Sequence, residues 1–208
     1  MAISLHKFHY HCIFQVIDRK PPEDALKKVY FETDYSDYDR VKVLIDQGGI
    51  YLDLDVMVAQ SFDKLRTYSC TVGLGRKKQI SNGVIVCSKD HPFLYMWLQG
   101  FYEDHRKERS YNSETYPTII AKRYPHLVHI EKSTLHGPGY QNLWEIWGNA
   151  SYPWQTKYSL HTWIRSARQK GFLKEEVTPA SIKSMDTTFG QMVRDVYYGS
   201  PDIIQDGS

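Results

Sequence analysis

The run Gly48-Gly49-Ile50-Tyr51-Leu52-Asp53-Leu54-Asp55-Val56 brings acidic side chains together at a spacing that suits chemistry. In an extended segment, side chains at i and i+2 leave on the same side. Asp53 and Asp55 would then present two carboxylates together, with Ile50, Leu52, Leu54 and Val56 on the opposite face. Two adjacent carboxylates repel unless a cation neutralises them. Hard oxygen ligands suit Mg²⁺ or Mn²⁺, and such an ion binds a diphosphate and stabilises the charge developing on a nucleotide diphosphate leaving group. A bare Asp-x-Asp also occurs at ordinary solvated strand ends. Here it closes a strongly apolar strand launched by Gly-Gly, which favours the metal.

Ser36, with Asp39 three residues on, resembles a helix N-terminal capping pair. The helix it predicts has Val41, Leu44 and Ile45 on one face and stops at Gly48-Gly49, where glycine can take positive φ. Ile50 to Val58 then reads as one strand. Upstream, Ile13 to Ile17 reads as a short strand before a Pro21-Pro22 turn. Downstream, Thr71 to Leu74 and Gly83 to Val86 are strand candidates, and Asp90-His91-Pro92 opens a helix facing inward through Phe93, Trp97, Leu98 and Phe101. A helix over Thr118 to Arg123 and a strand over Leu127 to Ile130 follow. From Gly137 the pattern is irregular, as in binding loops, and a tail is expected from Gly199. Helix, glycine stop and buried strand are the punctuation of an α/β fold.

Ser36-Asp37, Arg40, Gly48-Gly49, Tyr51, Asp53 and Asp55 together resemble the signature of the family-32 glycosyltransferases. These include the yeast initiating α-1,6-mannosyltransferase type and the animal α-1,4-galactosyl- and α-1,4-N-acetylglucosaminyltransferases; the large clostridial glucosylating toxins share the pattern. The resemblance is strongest over Pro21 to Leu98. It implies an α/β, GT-A-like Rossmann-type domain, a mixed sheet flanked by helices, occupying residues 1–198 as a single domain with a flexible tail over 199–208. It also implies a metal-dependent, retaining transfer of a hexosyl unit from a UDP- or GDP-linked sugar to a glycan or glycolipid acceptor in the Golgi lumen. Asp53 and Asp55 would hold Mn²⁺ (or Mg²⁺) and, through it, the donor diphosphate. Asp37 and Arg40, one helical turn apart, would hydrogen-bond the donor sugar, a task their chemistry fits; a plain intrahelical ion pair is the alternative. Asp37, Arg40 and Asp55 form the implied catalytic set, with Gly49 and Tyr51 beside the donor.

Asn82-Gly83 resembles the family's donor–acceptor cleft and Gly137-Pro138 its Gly-Pro turn near the acceptor, each also readable as an ordinary turn. His161 falls where the family often carries a His-rich segment near the metal or diphosphate, and neutral imidazole suits a third ligand. Trp163 either stacks on the sugar or packs. Only 36 residues precede Asp37, and the family's opening strand–helix unit and membrane anchor are not recognisable among them, so the chain is expected to lack that first unit.

Composition narrows the alternatives. A net charge of +2, with basic and acidic residues interspersed, does not describe a nucleic-acid binder. The densest apolar run, Phe93 to Leu98, falls far short of the roughly 20 residues of a membrane span. Cys70 and Cys87 read either as a disulfide that leaves Cys12 free or, with Cys12, as buried thiols. Asn149-Ala150-Ser151 is an N-glycosylation sequon that weakly favours a secretory lumen. A haloacid-dehalogenase-like phosphatase also uses Asp-x-Asp, but requires Thr or Val where this chain has Met57. A non-catalytic domain of the same fold, binding sugar nucleotide or glycan without turnover, is the competing reading.

Overall fold

The computed structural model describes residues 32–103, 108 and 110–205. The strand expected at Ile13 to Ile17 and the Pro21-Pro22 turn lie outside them. The described chain forms two compact units, one of residues 32–52 and 62–132, the other of residues 53–61 and 133–205.

The first unit is a mixed four-stranded sheet with helices packed on a shared core. Helix α1 (Glu32–Gln47) buries Tyr38, Val41, Leu44 and Ile45, the face its periodicity predicts. It is already helical at Glu32, so Ser36 does not cap it. Ser36 instead sits inside the helix and receives the Arg40 guanidinium on its carbonyl and hydroxyl oxygens. The helix ends at Gly48, where φ is +68° and a Cβ would lie 2.5 Å from the Lys89 backbone nitrogen, so both conformation and space require glycine.

Strands β1 (Gly49–Leu52), β3 (Cys70–Leu74), β4 (Ile80–Cys87) and β5 (His129–Glu131) form the sheet in the order β1-β4-β3-β5. The β1–β4 and β3–β4 pairs are antiparallel and β3–β5 is parallel. Val72, Ile85, Phe93, Leu94 and Trp97 are fully buried at its centre, each contributing about 1.5–3 kcal/mol by transfer from water. Cys70 and Cys87 stand opposite each other on β3 and β4 and form a disulfide, which resolves the choice the sequence left open. This mixed α/β architecture is the one the resemblance implied and is consistent with a GT-A-like domain.

Helix α2 (Pro92–Gln99) is capped by His91, whose Nδ1 accepts from the Phe93 N–H at 3.2 Å. In the neutral ring the other nitrogen then carries the proton, and Nε2 lies 3.1 Å from the Ser69 hydroxyl. Burial lowers the His91 pKa below its usual 6.5, and protonation would turn the capping acceptor into a donor facing an N–H. A histidine depressed in the folded state leaves stability intact above its unfolded pKa and erodes it as pH falls from there toward the folded value. Thermal melting between about pH 8 and about pH 5 is therefore expected to fall on the acid side of 6.5. His91→Asn, which keeps a capping oxygen, should lose that limb. An unchanged acid limb in the variant would assign the titration elsewhere. Helix α3 (Tyr116–Arg123) completes this unit.

The second unit contains β2 (Val56–Val58), α4 (Trp144–Trp147), β6 (Ser159–His161), α5 (Ile164–Gln169), α6 (Pro179–Ser184) and α7 (Thr188–Tyr198). The sequence read this region as irregular, yet its described residues hold four α-helices. α7 carries an apolar face through Phe189 and Met192 onto Trp147, Trp154 and Leu160. Trp147 Nε1 donates to Thr162 O and Trp154 Nε1 to Gln191 Oε1, so both indoles are buried with their polar ends satisfied. Arg194, 1% exposed, donates to Ile182 O, Met185 O and Pro201 O, and the Ile204 N–H donates to Lys183 O.

Candidate functional site

Ile50 to Val58 is not one strand. β1 ends at Leu52, the Val56 N–H turns back to Asp53 O at 3.0 Å, and β2 resumes at Val56 in a different sheet. Leu54, expected on the face opposite the carboxylates, is fully exposed at the tip of this turn. The two carboxylates are thus gathered by a turn rather than by alternation along a strand. β2 pairs antiparallel with β6, Val56 opposite His161, and the Thr162 N–H and hydroxyl both donate to Asp55 O at 2.8 Å.

That pairing delivers His161, 4% exposed, to the two aspartates. Its Nε2 lies 2.9 Å from Asp55 Oδ1 and 3.8 Å from Asp53 Oδ2, and one ligand atom from each of the three residues falls within 4.8 Å of the others. Burial acts to raise the Asp55 pKa, but the hydrogen bond and charge of His161, with the backbone N–H groups of Asp55 and Ile164, outweigh it and hold the carboxyl below 3.8. Asp55 is therefore anionic at neutral pH. Two carboxylates and an imidazole nitrogen make a donor set able to hold a divalent cation.

Trp163 holds the imidazole from the side. Its indole stacks on the His161 ring at 3.8 Å between centroids, with Tyr140 edge-on to the indole at 5.6 Å. Trp163 also takes a left-handed conformation, φ +51°, uncommon for a bulky residue. Its Nε1 is buried and has no hydrogen-bond partner among the described residues. One face of the ring is thus already committed to His161. His136, buried 6.1 Å from the His161 ring, and Tyr140 were not singled out in the sequence. Nothing local distinguishes one of nine histidines or one of 16 tyrosines.

In the first unit, four of the sequence-predicted residues meet. Arg40 Nη2 lies 3.0 Å from Asp37 Oδ1, and the same oxygen accepts from Asn82 Nδ2 at 2.7 Å. Arg40 Nη1 donates to Asn82 O at 3.0 Å, and its guanidinium sits 4.6 Å over the centre of the Tyr51 ring. Asp37 and Arg40 are both buried. The plain intrahelical ion pair is thus one edge of a wider network joining α1, β1 and β4. Gly83 is buried in β4 beside Asn82, and Gly49 opens β1 with φ +114°. In the second unit, the Gly137-Pro138 bond is cis, and a Cβ at Gly137 would lie 2.2 Å from the Tyr152 hydroxyl.

Comparison with known proteins bears on the same stretch. Residues 11–72 match the family described as the glycosyltransferase sugar-binding region containing the DXD motif, a span that includes Asp37, Arg40, Asp53 and Asp55. The chain is similar to glucan organizing enzyme 1 of Cryptococcus neoformans, 25% identical over 175 residues, which cover 76% of this chain and 47% of that protein. It is also similar to inositol phosphoceramide mannosyltransferase 3 of Schizosaccharomyces pombe, 39% identical over 64 residues, 31% of this chain and 18% of that protein. The chain thus spans about half of the first relative and under a fifth of the second. No solved structure matches it significantly. Among the described residues no helix is long and apolar enough to cross a membrane.

Proposed function

We propose that this chain, which carries the DXD-containing sugar-binding region of a glycosyltransferase family, is a metal-dependent retaining hexosyltransferase using a nucleotide-diphosphate sugar. The observation that carries the reading is the convergence of Asp53, Asp55 and His161 on one point. A divalent ion held there would neutralise the diphosphate as it leaves. Trp163 keeps the His161 imidazole in place, a positioning task.

Asp37 and Arg40 are assigned to the donor sugar, with Asn82 and Tyr51 fixing their geometry. Gly49 and Gly83 are assigned to the donor side, and Gly137-Pro138 to the acceptor side. In a retaining transfer the acceptor hydroxyl arrives on the face that the diphosphate leaves. The anomeric C–O bond to the diphosphate breaks, the bond to the acceptor oxygen forms, and the hydroxyl proton passes to the departing phosphate. The acceptor is a glycan or glycolipid, in keeping with the name of the S. pombe inositol phosphoceramide mannosyltransferase, and the compartment is the lumen of the secretory pathway.

The purified chain with Mn²⁺ and a panel of UDP- and GDP-sugars, mannosyl donors first, tests this. The expected result is release of one nucleotide that stops on chelation. Silence across the panel from folded protein would overturn it in favour of a domain that binds sugar nucleotide or glycan without turnover.

A further inference from the structure

The sequence holds four asparagines, and only Asn149 lies in an Asn-x-Ser/Thr tripeptide, followed by Tyr152 rather than proline. Its backbone is fixed: Asn149 O accepts from the Thr188 N–H and from the Thr188 hydroxyl, where α7 begins. Its side chain is fixed at one end only. Oδ1 accepts from the Ser151 N–H at 2.9 Å and from the Ser151 hydroxyl at 2.8 Å, an Asx turn in which the sequon's own serine grips the amide carbonyl. The amide nitrogen Nδ2 donates to no described residue. Ser151 is exposed, and Asn149 and Ala150 are half-buried, so the sequon lies in a loop at the surface.

An independent observation gives the compartment. Cys70 and Cys87 are joined in a disulfide, a bond that forms and persists in oxidising lumens and is rare where thiols are kept reduced. The oligosaccharide transfer that modifies sequons takes place in that same kind of lumen.

We propose that Asn149 carries an N-linked glycan, added from a lipid-diphosphate-linked oligosaccharide. Asn149 Nδ2 bonds to the anomeric carbon of that oligosaccharide and gives up one proton. The anomeric C–O bond to the diphosphate breaks, and the lipid diphosphate leaves with its electron pair and takes up that proton. The proposal does not rest on the transferase reading, since a domain without turnover would carry the same sequon.

The test is to express the full chain through a eukaryotic secretory pathway and map its peptides by mass spectrometry before and after endoglycosidase treatment. The expected result is a glycan mass on the peptide containing Asn149, removed by the enzyme, in protein whose Cys70–Cys87 bond is intact. Ser151→Ala should lose the modification completely while leaving the asparagine in place, and Ser151→Thr should keep it. Because Asn149→Gln also removes the Asx turn and can disturb folding, the serine pair carries the decision. Folded, disulfide-bonded protein with Asn149 bare overturns the proposal, as does a glycan at Asn149 that persists in Ser151→Ala.

Discussion

Asp55→Ala is expected to reduce metal-dependent nucleotide release by at least about 100-fold, because losing a partner that merely orients a metal ligand already costs about 10–100-fold. Asp53→Ala should do the same. The fold holds the residue mainly through its backbone, although the carboxylate also meets His161 Nε2 and the Ile164 N–H. The Thr162 N–H and hydroxyl both bind Asp55 O, and the β2–β6 register sets Val56 against His161; neither needs the carboxylate. The variant should still fold, with a melting temperature lowered by loss of the carboxylate's bonds to the Ile164 N–H and His161. In the parent, His161 Nε2 lies 2.9 Å from Asp55 Oδ1; in the variant the nearest carboxylate is Asp53, at 3.8 Å. Mn²⁺ affinity, measured directly on the protein without donor, should fall alongside turnover. Loss of turnover with unchanged Mn²⁺ affinity would move the ion elsewhere, and metal-dependent turnover retained in both variants would sink the assignment.

The parts of this architecture that the sequence made legible are those set by local chemistry. Gly48 must be glycine because φ is +68° and the Lys89 backbone is in the way, and a Gly-Gly pair after an apolar helical face says as much. Pro92 after His91 marks the start of α2 for the same kind of reason. The match of residues 11–72 likewise rests on a block contiguous in sequence. What escaped a linear reading is governed by distant partners. The alternation Ile50 to Val58 gives no hint of a turn, because the bonds that hold Asp55 in it come from Thr162, 107 residues away. The helices after Gly137 escaped because their apolar residues are separated by Gly, Pro and Trp that read as loop. His161 could be placed only by resemblance, and it is the structure that sets its imidazole 2.9 Å from Asp55. Ser36 misled because a serine followed by an acid is a good cap in isolation, while Arg40 claims it within the helix.

Arg40→Ala is expected to cost about 3–5 kcal/mol of stability, the usual consequence of removing one partner from a buried charge pair, against a total of only about 5–15 kcal/mol for a folded protein. Arg40 is 7% exposed, and its guanidinium reaches Ser36, Asp37 and Asn82 while covering Tyr51. Lysine carries the charge but not the planar fork, so Arg40→Lys should recover only part of the loss. Such a variant by itself cannot separate a scaffold from a site, because a network that collapses takes any activity with it. Asp37→Asn makes the separation. The amide keeps the shape and an oxygen able to accept from Asn82 Nδ2, but loses the charge, so the fold should survive with a lower melting temperature. If Asp37 grips the donor sugar, nucleotide release should fall by about 100-fold or more, on the scale of losing one transition-state hydrogen bond, while Mn²⁺ affinity stays unchanged. A folded Asp37→Asn variant with normal turnover would reduce the Asp37–Arg40–Asn82 network to a strut between α1 and β4. Loss of turnover in that variant with the metal site intact would instead assign donor recognition to α1 and ion binding to the Asp53–His161 cluster.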